Sequence, residues 1–430
     1  MTDSILYRGQ EGQSYALYLP TSYSPDKKYP CIYFFDAHAR GALPVYTYKA
    51  LAEQYGFVLI GSNISKNGMS RTETNEVVNK LMADAGSRIH IDTERVYLSG
   101  FSGGSRVAST RAMSNDGITG VIGCGAGFPA IELQWTNKFD YFGMAGMHDF
   151  NLGEMEQWDA LLGQNDRAHQ LLVSAGTHGW PVAADFQFAL LWMQVMAMKE
   201  QKQAKDDKIV IALKQVYEQY VREAATKGDI LKEGSLLEGM LRVLGGLADV
   251  SPYEKQLSVL RESDGYKQAM ERNDLLQNEE RQKEQEISGE FAARDGAYWA
   301  GKISEFNKNI RSKPRLESQM NGRLLAYLGL VAYMNSSAAL KNGDFAKAAG
   351  YLKVFRLADP GNPDGNYLEA EYQMQKGDKE QAMASLKEAV SKGYNDVEQL
   401  MTDPMFNNLA HDTTFDELVR MAAANNRVGQ

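Results

Sequence analysis

The sequence predicts an α/β domain, a mostly parallel sheet flanked by helices, followed by an all-helical domain. Three observations carry that expectation. Up to about residue 200, short apolar runs of strand length alternate with stretches of helical periodicity. A G-x-S-x-G pattern, Gly100-Phe101-Ser102-Gly103-Gly104, stands between one such run and one such stretch. Beyond about Met198 the strand patterns vanish, and amphipathic segments rich in Lys, Glu and Gln fill the remaining chain.

Taken in order, Ser14 to Pro20 alternates and stops at proline, as an early antiparallel strand does. Cys31-Ile32-Tyr33-Phe34-Phe35 reads as a buried strand, and Leu51 to Ile60 as a helix end running into a strand. Thr72 to Ala85 places Val77, Val78, Leu81, Met82 and Ala85 at helical spacing. The run Arg95 to Leu98 is a strand entering the serine motif, and Ser105 to Met113 continues out of it as a helix. Val121 to Gly127 is a short apolar strand with glycines. No Walker lysine or dinucleotide fingerprint surrounds it, so its glycines signal close backbone packing rather than a phosphate cradle. Phe139 to Gly146 and His169 to Ala175 are two more strands. Phe186 to Met198 is the last core helix, too short and too polar-flanked to span a bilayer.

G-x-S-x-G at a strand-to-helix turn is a nucleophile elbow. The serine occupies strained backbone, so residues two positions away must be small enough for the chain to turn sharply. The N–H of Gly103 then faces the space where an oxyanion would develop. Ser99 and Ser105 flank Ser102 without the glycine bracket. A serine nucleophile needs a base, and the base needs an orienting carboxylate, here in the order Ser, Asp or Glu, His. Asp149 follows the strand ending at Gly146, and His178 follows the strand ending at Ala175. Both therefore fall at the carboxyl ends of strands, the edge where open α/β sheets bind ligands. Asp140 opens its strand at the opposite edge, while Glu154 and Asp159 fall in the following helix. Of the other histidines, His90 precedes the elbow strand, His169 opens a strand, His411 is distant, and His148 adjoins Asp149. His38 is better placed to line a site than to act as base.

These residues resemble a known group. The first two hundred residues look like α/β-hydrolases of the esterase D, feruloyl esterase and polyhydroxybutyrate depolymerase type. The resemblance rests on the elbow Gly100 to Gly104, on Asp149, and on Thr177-His178-Gly179-Trp180-Pro181, since in those enzymes Trp-Pro closely follows the catalytic histidine. It implies a Ser102–Asp149–His178 triad. Asp36-Ala37-His38-Ala39-Arg40-Gly41 stands where such enzymes carry their oxyanion loop, with Asp36-Ala37 replacing the usual His-Gly. Either Ala37 or His38 would then supply the N–H that joins Gly103 in the oxyanion hole.

Composition bounds the remaining possibilities. At 430 residues the chain has room for two or three domains. A net charge of −9 (46 basic against 55 acidic residues) argues against nucleic acid or an anionic membrane surface as principal partner. The two cysteines, Cys31 and Cys124, both sit in expected core strands and read as buried thiols. No spacing of metal ligands appears, so neither a metal nor another cofactor is expected. Met1-Thr2-Asp3-Ser4 lacks the basic and apolar lead of a signal peptide, yet enzymes of the resembled type are often exported. The compartment is left open.

In the C-terminal part, Gly343-Asp344 recurs as Gly377-Asp378, Ala348 as Ala382, and Leu352 as Leu386, each at an offset of 34. That is the tetratricopeptide period, and the segment resembles those repeats. Pro360 falls where such a repeat ends its second helix, and Tyr394 stands at that place in the second copy. The expected organisation is a catalytic domain over 1–200, a helical connecting region over 201–320 and tetratricopeptide-like repeats over 321–430. The function expected is a serine hydrolase for carboxylic esters, including acyl or feruloyl decorations on polysaccharide, with a protein partner on the repeats. Two alternatives stand beside it. One is a serine peptidase; the other is a non-catalytic interaction protein with a hydrolase-like scaffold and peptide-binding repeats.

Overall fold

The computed structural model describes residues 1–8, 12–114, 117–129, 137–165 and 167–425. Its first part builds eight strands and the helices between them. The strands are β1 (Thr2–Leu6), β2 (Ser14–Tyr18), β3 (Tyr29–Phe35), β4 (Val58–Ser62), β5 (Ile91–Phe101), β6 (Gly120–Cys124), β7 (Asp140–Gly146) and β8 (His169–Ser174). The intervening helices are α1 (Ala42–Tyr55), α2 (Arg71–Arg88), α3 (Gly103–Ser114), α4 (Leu152–Gln164) and α5 (Ala183–Lys199). The sheet order is β1-β2-β4-β3-β5-β6-β7-β8. β2 runs antiparallel to both β1 and β4, and every pairing from β4 across to β8 is parallel.

Side-chain alternation along the strands sorts the core into two layers. β3 is buried throughout. Its Ile32 and Phe34 enter one layer with Tyr48 of α1 and Phe186, Phe188 and Trp192 of α5. Its Cys31, Tyr33 and Phe35 enter the opposite layer with Val78, Leu81 and Ala85 of α2 and Ala108 and Ala112 of α3. A strand buried on both faces reads as a continuous apolar run, which is why Cys31 to Phe35 was legible without alternation. α2 begins where Ser70 and Glu73 form a reciprocal capping box. Cys31 and Cys124 are both buried free thiols.

Three further helices, α6 (Asp207–Thr226), α7 (Ile230–Leu244) and α8 (Ser251–Glu262), join the first layer. Val210, Leu213 and Tyr217 of α6 and Leu236, Leu237 and Met240 of α7 belong to the same apolar cluster as Phe34 and Trp192. The first unit therefore runs past the expected boundary near 200. It comprises Met1–Met147 and Asn151–Asp274, while His148–Phe150 group with the second unit, which otherwise starts at Leu275. The division falls within the long helix α9 (Asp264–Glu290).

The second unit is all-helical: the rest of α9, then α10 (Gly296–Ser312), α11 (Arg315–Lys341), α12 (Phe345–Ala358), α13 (Pro363–Gln375), α14 (Lys379–Ser391), α15 (Val397–Thr402) and α16 (Thr413–Asn425). The 34-residue repeat has a physical counterpart here. Gly343 and Gly377 both take left-handed backbone, at φ +71° and +81°, and end α11 and α13. Asp344 and Asp378 then cap α12 and α14 by accepting from Lys347 N–H and Gln381 N–H. Ala348 and Ala382 are fully buried, which lets the paired helices approach closely. Where the first copy has Pro360, Tyr394 stacks its ring flat on Tyr367, centroids 4.8 Å apart. The same turn recurs in the first unit, where Gly228 is left-handed at φ +62° and Asp229 caps α7. Among the described residues, no helix is long and apolar enough to cross a membrane.

Candidate functional site

Ser102 lies between the last residue of β5 and the first of α3, with φ +55°. For a residue with a Cβ this left-handed conformation is disfavoured and persists only where surrounding structure imposes it. The imposition is visible. Ser102 N–H donates to Cys124 O at 2.9 Å, and Ser102 O accepts from Ser105 N–H and Arg106 N–H. The glycine bracket is enforced by backbone proximity: a Cβ on Gly100 would overlap the Gly104 carbonyl, and one on Gly104 would overlap the Phe35 carbonyl. A Cβ on Gly103 would meet the Asn67 side chain. The flanking serines have structural bonds instead, Ser99 Oγ to Ile122 O at 3.0 Å and Ser105 Oγ to Ala126 O at 2.6 Å.

His178 sits in the loop after β8, and its ring lies 4.6 Å from the ring of Phe101, the residue preceding Ser102. The Trp-Pro that follows anchors this loop. Trp180 packs among Phe34, Tyr48 and Phe101, with ring centroids 6.0, 6.2 and 5.7 Å away. Tyr48 OH donates to Pro181 O at 2.7 Å. The end of β7 abuts the same loop, since a Cβ on Gly146 would collide with the Thr177 carbonyl.

Asp149 follows β7 by three residues and is fully buried. Its short loop is pinned on both sides: Met147 N–H donates to Ser174 O at 2.8 Å, and Asn151 Nδ2 donates to Gly125 O at 2.8 Å. The neighbouring acids are occupied otherwise. Glu154 accepts from Arg106 Nη2 at 2.6 Å and from Gly127 N–H at 3.2 Å. Asp159 lies 3.7 Å from His169 Nε2. Asp140 begins β7 at the amino edge, where burial and the nearby Glu200 push its carboxyl up to about 8.

The loop after β3 carries Asp36, Ala37 and His38. Ala39 in this loop is also left-handed, at φ +59°. Ala37 O accepts from Asn67 N–H at 2.8 Å, and His38 forms a bridge with Lys66. His38 N–H is itself engaged, donating to Asp36 Oδ1 at 2.9 Å. Asp36 is fully buried and accepts in addition from Arg40 Nε at 2.8 Å, Arg40 Nη2 at 3.1 Å and Trp180 Nε1 at 2.8 Å. Burial alone would raise its pKa. Arg40 and the indole donor outweigh that, and the carboxyl stays below its ordinary value. The sequence drew notice to Asp36 only as a departure from His-Gly. Its bond to Trp180 spans 144 positions and leaves no local signal.

Ser102, Gly103, Ala37, His38 and His178 thus share the carboxyl edge of the parallel strands, and Asp149 occupies the loop that leaves β7 at that edge. Among the described residues, no group of three or more His, Cys, Asp or Glu could hold a metal ion.

The antiparallel lead-in, the parallel run and the serine turn after β5 define an α/β-hydrolase fold, followed by an all-helical unit. An S-formylglutathione hydrolase (FrmB) from Staphylococcus aureus, as apoenzyme, is similar over 42% of this chain and 90% of its own, at 13% identity and a TM-score of 0.35. Esterase 2 of Thermogutta terrifontis, phosphonylated by sarin, is similar over 48% of this chain and 97% of its own, at 10% identity and a TM-score of 0.37. The fluorophosphonate-binding serine hydrolase F (FphF) of Staphylococcus aureus, with substrate bound, covers 42% of this chain and 92% of its own, at 12% identity and a TM-score of 0.35. No family model matches the chain, and no curated protein matches it.

Proposed function

We propose that the first unit is a serine hydrolase acting on carboxylic esters. The observation that carries this reading is Ser102 in left-handed backbone with the His178 ring beside its neighbour Phe101. A non-catalytic scaffold gains nothing from a strained serine, because glycine would take the same φ without penalty. In the proposed reaction His178 accepts the Ser102 hydroxyl proton as the oxygen attacks the ester carbonyl. The negative charge develops toward Gly103 N–H and an N–H of the loop after β3. Ala37 is favoured over His38 for that role, since His38 N–H already donates to Asp36. Collapse expels the alcohol, which takes the proton from His178, and leaves an acyl-enzyme. Water, deprotonated by the same histidine, then releases the acid and restores Ser102. Asp149 is proposed as the carboxylate that fixes the His178 tautomer, supported by its burial and its place after β7.

Acyl or feruloyl esters on polysaccharide are the substrates suggested by the resemblance of the Trp-Pro motif. The capped hairpins α11–α12 and α13–α14 we read as tetratricopeptide-like repeats that offer a surface to a protein partner. The test is labelling of the full chain by a fluorophosphonate probe together with hydrolysis of p-nitrophenyl acetate. The wild-type chain should label and turn over. Ser102→Ala should lose labelling and at least about 10⁴-fold of kcat, as loss of a serine nucleophile costs, with its thermal transition retained. Equal labelling of both chains would refute the assignment.

A further inference from the structure

The carboxyl edge holds a second arrangement that the proposed chemistry does not use directly. Four donors converge on the buried Asp36 carboxylate: His38 N–H, Arg40 Nε, Arg40 Nη2 and Trp180 Nε1. Three come from its own loop by local geometry, as the i,i+4 pair with Arg40 and the i,i+2 turn to His38 show. The fourth comes from the loop that carries His178. The carboxylate therefore joins two segments that are far apart in sequence and that would serve opposite sides of one reacting carbonyl.

We propose that Asp36 is a positioning residue for the hydrolase site: its carboxylate ties the Ala37–His38 loop to Trp180, and through Trp180 sets where His178 stands relative to Ser102. The proposal rests on the hydrolase reading above. Its route is continuous. Asp36 Oδ2 holds the Trp180 indole; Trp180 packs on Phe101, and Phe101 packs on His178. On its other side, Asp36 Oδ1 fixes His38 N–H, which sets the peptide orientation next to Ala37. One ionised group thus coordinates the oxyanion side and the base side. Its counter-charge, Arg40, keeps it ionised despite full burial. The replacement of His-Gly by Asp36-Ala37 gains a physical meaning: the position is used to cross-link loops.

Two variants of the full chain test this. Trp180→Phe keeps an aromatic ring among Phe34, Tyr48 and Phe101 and removes the indole donor together with part of the ring's volume. Asp36→Asn keeps the shape but offers one acceptor oxygen where four donors converge. Each should lower kcat for p-nitrophenyl acetate by about 10²-fold, the loss expected from a small misplacement of catalytic groups, with KM little changed. Because both cut one link, the double variant should be no slower than the slower single variant. Wild-type kcat in a folded Trp180→Phe, or losses that multiply in the double variant, would overturn the proposal. A readout independent of turnover separates this from failure of the hydrolase reading. The His178 ring resonances, followed by NMR, should shift in Trp180→Phe whether or not the wild type hydrolyses esters. Unshifted resonances would reject the link, while a wild type without labelling or turnover would reject the hydrolase reading.

Discussion

The two edges of one sheet treat buried carboxyl groups in opposite ways. At the carboxyl edge, Asp36 is fully buried yet held ionised by Arg40 and by donors from Trp180 and His38, and two non-glycine residues, Ala39 and Ser102, are left-handed. At the amino edge, Asp140 is also buried, but its Oδ2 has no hydrogen-bond partner among the described residues and its pKa rises to about 8. There the protein accepts a neutral acid, the less costly state for an unpaired buried carboxyl. The lesson is that burial alone does not mark a site. A fold marks one where it supports a charge or a strained torsion with several converging interactions.

That comparison is broken most severely by Gly104→Ala. The added methyl would overlap the Phe35 carbonyl, which belongs to β3 and cannot yield as a side chain would. A loss of about 3 kcal/mol or more, or no soluble protein, is expected in denaturant titration. A small loss would mean that the elbow is looser than its glycines indicate.

Asp140→Asn sharpens the contrast between the edges. The folded pKa of Asp140 is raised above its unfolded value, so the stability tied to its protonated form is complete below about pH 4 and is lost as pH rises toward about 8. Asparagine does not ionise and avoids that loss. The variant should match the wild type near pH 4 and exceed it by a few kcal/mol (on the order of 3) near pH 8. Thermal denaturation at both pH values checks this, and a constant difference across the range would contradict it.

A left-handed position in the helical unit provides the yardstick for strain. Gly377 has φ +81° and open space where a Cβ would stand, so Gly377→Ala carries the backbone penalty alone, about 1–2 kcal/mol. Ser102→Gly is the reverse experiment and the smallest effect. Relief of the left-handed serine, less the added flexibility of glycine, should stabilise the first unit by about 0.5–1 kcal/mol in urea titration while removing activity. If Ser102→Gly destabilises, the strain at the elbow is not what distinguishes it from an ordinary turn.

The sequence by itself determined several elements whose physics is local. The apolar run at Cys31–Phe35, the helical spacing from Thr72 to Ala85, the glycine bracket around Ser102 and the Gly-Asp turns 34 residues apart all follow from side-chain period, capping or allowed torsions over a few positions. The chain order of Ser102, Asp149 and His178 was legible for the same reason, since each ends or follows a recognisable strand. What tertiary structure decided is long-range. The sequence assigns α6, α7 and α8 to a connecting region over 201–320 because strand patterns stop near Met198, yet Leu213, Tyr217 and Leu237 are fully buried against the sheet's apolar layer. Periodicity shows that a helix has an apolar face; it does not show which surface covers that face. The role of Asp36 was equally hidden. Its sequence neighbours suggest an irregular loop, and only the approach of Trp180, brought in from the far side of the sheet by β8, turns that loop's carboxylate into a shared acceptor. Short-range sterics and capping write themselves into a few consecutive residues. Pairing between distant segments depends on the whole sheet order, which no local pattern contains.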